Sequence, residues 1–181
     1  MQFTNQQYEI CIKRCLELFL KKNKDYGTAW RILRTSSITD QIFIKAARIR
    51  SIEEKGVQQI NDSIESEYVG IVNYSIMALI QLSLDDHTSL ELSSDFIGEK
   101  YQHWADATQK LMQQKNHDYG EAWRDMRLSS LTDLILMKLL RIKQIEDNQG
   151  KTWVSEGLEA NYQDIINYAI FALIKLNFDK N

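Results

Sequence analysis

Lys138 and Arg141 stand three residues apart in MKLLR, a spacing that puts both cations on one face of a helix. Like charges so placed repel unless they reach solvent or meet an anion, and the anion is either a carboxylate of the chain or the phosphate of a ligand. The same pair recurs upstream as Lys45 and Arg48. A complementary set follows in LEANYQDIINYAIF, with the carboxylates Glu159 and Asp164 and the amide Asn167. Asn167 shares a helical stripe with Phe171 and Ile174, so it needs hydrogen-bond partners if that stripe is buried. Asp133, Glu159 and Asp164 are hard oxygen donors suited to Mg²⁺, or else partners for the basic pair.

A third set lies in QKNHDYGEAWRDMR, Gln114 to Arg127. Tyr119 and Trp123 offer aromatic faces for a planar base, while Lys115, Arg124 and Arg127 are donors for phosphate. Asp118 joins them because it recurs with the rest of the motif. A plainer account competes at each position: Trp123 as core, Asn167 bonded to a neighbouring helix, and the repeated polar residues as a structural network. The three histidines, His87, His103 and His117, are scattered, and Trp104 and Trp153 lack counterparts and read as packing residues.

These residues occur twice. Asp118 follows Asp25, Trp123 follows Trp30 and Arg141 follows Arg48 at a constant separation of 93 residues. From Lys22 to Glu54 against Lys115 to Asp147, 19 of 33 positions are identical. After one inserted residue the pairing resumes, with Glu65, Tyr68, Asn73 and Tyr74 matching Glu159, Tyr162, Asn167 and Tyr168. This is a tandem duplication, and two copies are too few for a solenoid, so the expectation is a pseudo-two-fold bundle. The repeats are expected at 1–84 and 97–181, with a polar linker at 85–96.

Each copy needs about three main helices to position the motifs. The first is expected from Asn5 to Asn23, and from Gly98 to Asn116, with the glycine of DYG ending it. A short helical AWR segment follows. Ser-x-Thr-Asp at Ser37 to Asp40 and Ser130 to Asp133 reads as the cap of the second helix, and the third begins near Asp62 or Glu156. No period-two pattern is bounded by turns and proline is absent, so the fold class is all-α.

Composition narrows the function classes. A net charge of −3 and a pI near 5.7 argue against direct nucleic-acid binding as the main task, but a small anionic ligand remains compatible with local basic groups. No apolar run approaches the length of a membrane span, and the N-terminus lacks the order of a secretory signal, so the expected location is cytoplasmic. Cys11 and Cys15 are the only cysteines and read as small buried hydrophobes.

At KNxDYGxAWRxxR, TDxIxxKxxRIxxIE and DIINYAIFAL the chain resembles the bacterial and phage family called nucleotide modification associated domain one, here present twice. More distantly it is similar to the all-α nucleotide pyrophosphohydrolases of the MazG and dimeric dUTPase type. The resemblance implies helical bundles that dimerise, bind nucleotides between helices and hold Mg²⁺ on acidic side chains. The chain departs from that pattern where Lys138 and Arg141, or Lys45 and Arg48, replace a Glu-x-x-Glu pair. The second acidic motif is split, with Asn161 and Asp164 in one copy but Glu67 and Gly70 in the other. Three readings follow: a nucleotide-binding protein, a Mg²⁺-dependent pyrophosphohydrolase with Asp133, Glu159 and Asp164 as ligands, or a helical interaction module. Under the first, the pseudo-dimer is also open to pairing again as a homodimer.

Overall fold

The computed structural model describes residues 2–85, 88–152 and 156–179, and every regular element among them is helical. The first repeat comprises α1 (Gln2–Tyr26), α2 (Thr35–Lys55) and α3 (Ile64–Ser83). The second comprises α4 (Ser94–Tyr119), α5 (Leu128–Asp147) and α6 (Leu158–Phe178). A 3-10 turn, Ala29–Ile32 or Ala122–Asp125, joins the first helix of each repeat to the second.

α1 and α4 run on through the Asp-Tyr of DYG and stop at Gly27 and Gly120, which take left-handed φ of 57° and 62°. There each glycine N–H reaches back to a carbonyl, Asn23 at 2.8 Å and Asn116 at 3.0 Å. The expected Ser-x-Thr-Asp caps are corrected. α2 and α5 begin earlier, after Arg34 and Arg127 in extended backbone with no side-chain cap. Thr39 and Thr132 are instead fully buried between the repeats. Side-chain caps occur at Ser63 and Ser93, whose hydroxyls accept the N–H of Ser66 and Phe96. α4 therefore starts inside the segment read as linker, while α3 and α6 start slightly later than expected.

α2, α3, α5 and α6 form a closed central layer, with α3 on α6, α2 on α3, α5 on α6 and α2 on α5. α1 and α4 pack on each other and on both α3 and α6, so each repeat's first helix touches the other repeat. Reciprocal polar contacts mark the pseudo-two-fold axis. Tyr8 donates to Asn167 Oδ1 at 2.9 Å, and Tyr101 donates to Asn73 Oδ1 at 2.8 Å. Tyr162 lies 2.6 Å from the Thr39 hydroxyl, and Tyr68 lies 2.7 Å from that of Thr132. Those threonines donate onward to Glu146 at 2.9 Å and Glu53 at 3.1 Å. Burial holds both carboxyls above the ordinary glutamate range. All four tyrosines are fully buried, so every hydroxyl needs the partner that the opposite repeat supplies.

Cys11 and Cys15 are buried free thiols, and burial pushes Cys11 up to about 11 and Cys15 higher still. Trp104 is buried, whereas Trp153 and His87 lie outside the described residues. Among the described residues no helix is long and apolar enough to cross a membrane.

Candidate functional site

α6 carries Asp164 into a basic corner, where its carboxylate is 93% buried. Oδ2 accepts from Lys138 of α5 at 2.8 Å and Oδ1 from Lys115 of α4 at 2.5 Å. Arg141, one turn beyond Lys138, is half-buried with no hydrogen bond or ion pair among the described residues. One turn before Asp164 on α6 is Asn161, which turns its amide N–H to the Gly157 carbonyl at 2.7 Å.

The first repeat solves the same charge problem differently. Its acid is Glu67, one turn earlier on α3. Lys45 binds Oε2 at 3.1 Å and Arg48 binds Oε1 at 2.7 Å, and Arg48 also donates to the carbonyls of Ile60 and Asp62. The counterpart of Asp164 is Gly70. A Cβ there would lie 2.7 Å from Lys45 Cε and 2.8 Å from Cδ, so glycine lets the lysine stem lie across α3. Each corner thus holds three cations and one inward carboxylate. The unmatched cation is Arg141 in the second repeat and Lys22, the counterpart of Lys115, in the first.

A pocket of about 630 Å³ opens at this corner of the first repeat. Its walls come from α1, the 3-10 turn, α2 and α3. Phe19, Trp30, Tyr74 and Met77 supply apolar and aromatic surface, and Lys22, Asn23, Lys45 and the Lys45-paired carboxylate of Glu67 supply polar groups, with Asp62 exposed at the rim. Asn23 Oδ1 and Trp30 Nε1 are buried without a hydrogen-bond partner. The size and mixture suit a small organic ligand. Two substitutions distinguish the second repeat at the equivalent place. Asp164 stands where Gly70 leaves room for the Lys45 side chain, and Phe171 replaces Met77 and stacks on Trp123 with ring centres 4.1 Å apart and planes 3° apart. Trp123 is accordingly buried, whereas Trp30 is only half-buried.

The sequence-expected residues divide into three groups. Lys115, Lys138, Lys45 and Arg48 are brought to the two corners beside the carboxylates they neutralise. Asn167 and Arg124 are drawn into inter-repeat contacts. Asn167 accepts from Tyr8 and donates to the Thr108 carbonyl at 3.4 Å, so its amide lies in the core and not in a cleft. Arg124 donates to Thr4 at 2.6 Å and Gln7 at 2.7 Å on α1, with its guanidinium 4.5 Å from the Trp123 ring centre. Its counterpart Arg31 donates to Gln81 of α3 at 2.7 Å and holds the inter-repeat connection through the Thr88 carbonyl at 3.1 Å. Asp118 and Tyr119 are exposed, Asp118 beside His117 and Tyr119 at the end of α4.

Asp133, Glu159 and Asp164 are not brought together among the described residues. Asp133 is exposed and 3.6 Å from Arg50, Glu159 is exposed, and Asp164 is already neutralised by two ammonium groups. Among the described residues no three His, Cys, Asp or Glu side chains gather as a metal site. The donor set therefore does not fit a protein-held Mg²⁺, because each inward carboxylate is committed to lysine or arginine. Lys22, Gly70, Trp30 and Met77 of this pocket are not among the sequence-expected residues, because the second copy matches the motif pattern more fully. The contrast of Gly70 with Asp164 and of Met77 with Phe171 was the available signal.

A family model described as nucleotide modification associated domain 1 matches residues 22–82 and again 115–176. No curated protein and no solved structure matches the chain.

Proposed function

We propose that this chain, which belongs to the nucleotide modification associated domain 1 family and carries that domain twice, binds a nucleotide in the pocket of its first repeat. The observation that supports this reading most is the pairing in one pocket of an aromatic wall, Trp30 and Tyr74, with the ammonium groups of Lys22 and Lys45. A base stacks on the first and a phosphate meets the second. The second repeat serves as a sealed structural partner. The inter-repeat network accounts for Arg124 and Asn167 without a ligand, but it leaves the pocket beside Trp30 unexplained.

Binding is the proposed activity. The carboxylates that would hold a metal for pyrophosphate cleavage are neutralised by basic side chains, so no hydrolytic step is assigned. Thermal denaturation with ribo- and deoxyribonucleotides tests the reading. A ligand at a hundred times its dissociation constant stabilises the fold by about 2.7 kcal/mol. Trp30→Leu is expected to remove that response with the fold retained. No response of the parent protein to any nucleotide would overturn the proposal.

A further inference from the structure

The two repeats differ at the position where one has Gly70 and the other Asp164, and the lysines around it do not. Lys115 and Lys138 close on the Asp164 carboxylate from α4 and α5. Their counterparts Lys22 and Lys45 line the open pocket around Gly70, and Lys22 has no ion pair among the described residues. Pseudo-symmetry therefore maps the place of a carboxylate in one repeat onto a place in the other that the flexible Lys45 side chain covers, on the wall of a pocket that Lys22 also lines. We propose that Asp164 is a built-in occupant of an anion seat. The matching seat of the first repeat, between Lys22 and Lys45 over Gly70, receives the phosphate nearest the sugar of a bound nucleotide.

This placement rests on the nucleotide reading for the identity of the ligand, but the seat itself does not. A carboxylate and a phosphate share the property the lysines select, negative charge spread over oxygens that accept two N–H donors at once. Glu67 does not fill the seat. It sits one turn away and engages Lys45 and Arg48, leaving Lys22 for an incoming anion. The sealing of the second repeat is then double, with Asp164 in the anion position and Phe171 against the indole that would face the base.

The test uses the full chain and two substitutions. Gly70→Asp places a carboxylate in the first seat, and only the flexible end of Lys45 must move to admit it. AMP and dTMP, with adenosine and thymidine as phosphate-free controls, are titrated by NMR chemical shift. The variant is expected to weaken the nucleotides by about 10- to 100-fold while changing the nucleosides little. Asp164→Gly empties the second seat. Sodium phosphate, against chloride of equal ionic strength, is expected to raise its melting temperature more than that of the parent, with Asp164→Asn as the better-folding alternative. Nucleotide binding undiminished by Gly70→Asp overturns the seat and spares the nucleotide reading. A parent that binds no nucleotide, with an Asp164→Gly protein still selectively stabilised by phosphate, overturns the nucleotide reading and supports the seat. Equal response of parent and Asp164 variants to phosphate overturns the seat.

Discussion

Moving the acid of the first repeat to its second-repeat position gives a quantitative check on the corner. Glu67 is 9% exposed, Lys45 27% and Arg48 22%, so water screens the three only partly. Stripping one member from a buried ion pair costs roughly 3 to 5 kcal/mol. Here Arg48 keeps its bonds to the Ile60 and Asp62 carbonyls, and both cations retain some solvent. Glu67→Asn is therefore expected to cost about 2 to 3 kcal/mol. At about 2 to 4 °C per kcal/mol for a chain of this size, the melting temperature should fall by about 4 to 12 °C. Adding Gly70→Asp returns a carboxylate to Lys45 and engages Lys22, but leaves Arg48 unmatched, as Arg141 is in the second repeat. Roughly half the loss should be recovered, a coupling of about 1 to 1.5 kcal/mol. Urea denaturation of the parent, both single variants and the double variant closes the cycle. Coupling within about 0.3 kcal/mol of zero would refute the idea that the acid has shifted by one turn to serve the same cations.

Tyr8→Phe and Tyr101→Phe should each destabilise by about 1 to 3 kcal/mol, because each leaves a buried asparagine carbonyl unmatched. Urea titration that shows only one of them costly would break the symmetry argument. Glu53 and Glu146 hold their protons more tightly folded than unfolded, so they favour the fold below the ordinary glutamate value of 4.5 and lose that contribution as pH rises through their folded values. Parent stability should accordingly fall, relative to Glu53→Gln/Glu146→Gln, as pH rises above 4.5; a difference independent of pH would contradict the burial effect. Met77→Phe should let Trp30 stack as Trp123 does, abolishing the nucleotide-induced thermal shift while preserving the fold. A retained shift would remove the aromatic wall from the binding account.

The helices and the duplication were legible because both are local or periodic. A constant separation of 93 residues needs no structure, and apolar stripes report helices directly. Gly27 and Gly120 were read as helix ends for the right reason, since the left-handed turn they make is a property of the residue. The caps failed because a buried threonine serves whichever partner the fold presents, and Thr39 meets Tyr162 more than a hundred residues away. Arg124 was read as a phosphate donor, and nothing in its neighbourhood announces Thr4 and Gln7 on another helix. Motif completeness points to the second repeat, whereas the pocket lies in the first. Completeness there means that Asp164 is present, and a side chain that completes a motif also fills space.

The reciprocal tyrosine contacts have a consequence for how the protein was able to change. In a symmetric pair of identical chains of about 90 residues, every substitution is made at both corners, so a residue that seals one pocket seals both. Joining the two copies through the connection that Arg31 holds removes that constraint. Each half is then free to differ at its corner, and because Tyr8 and Tyr101 each require the opposite half, neither can drift away from its companion. Covalent fusion is thus what makes a lopsided pair inheritable.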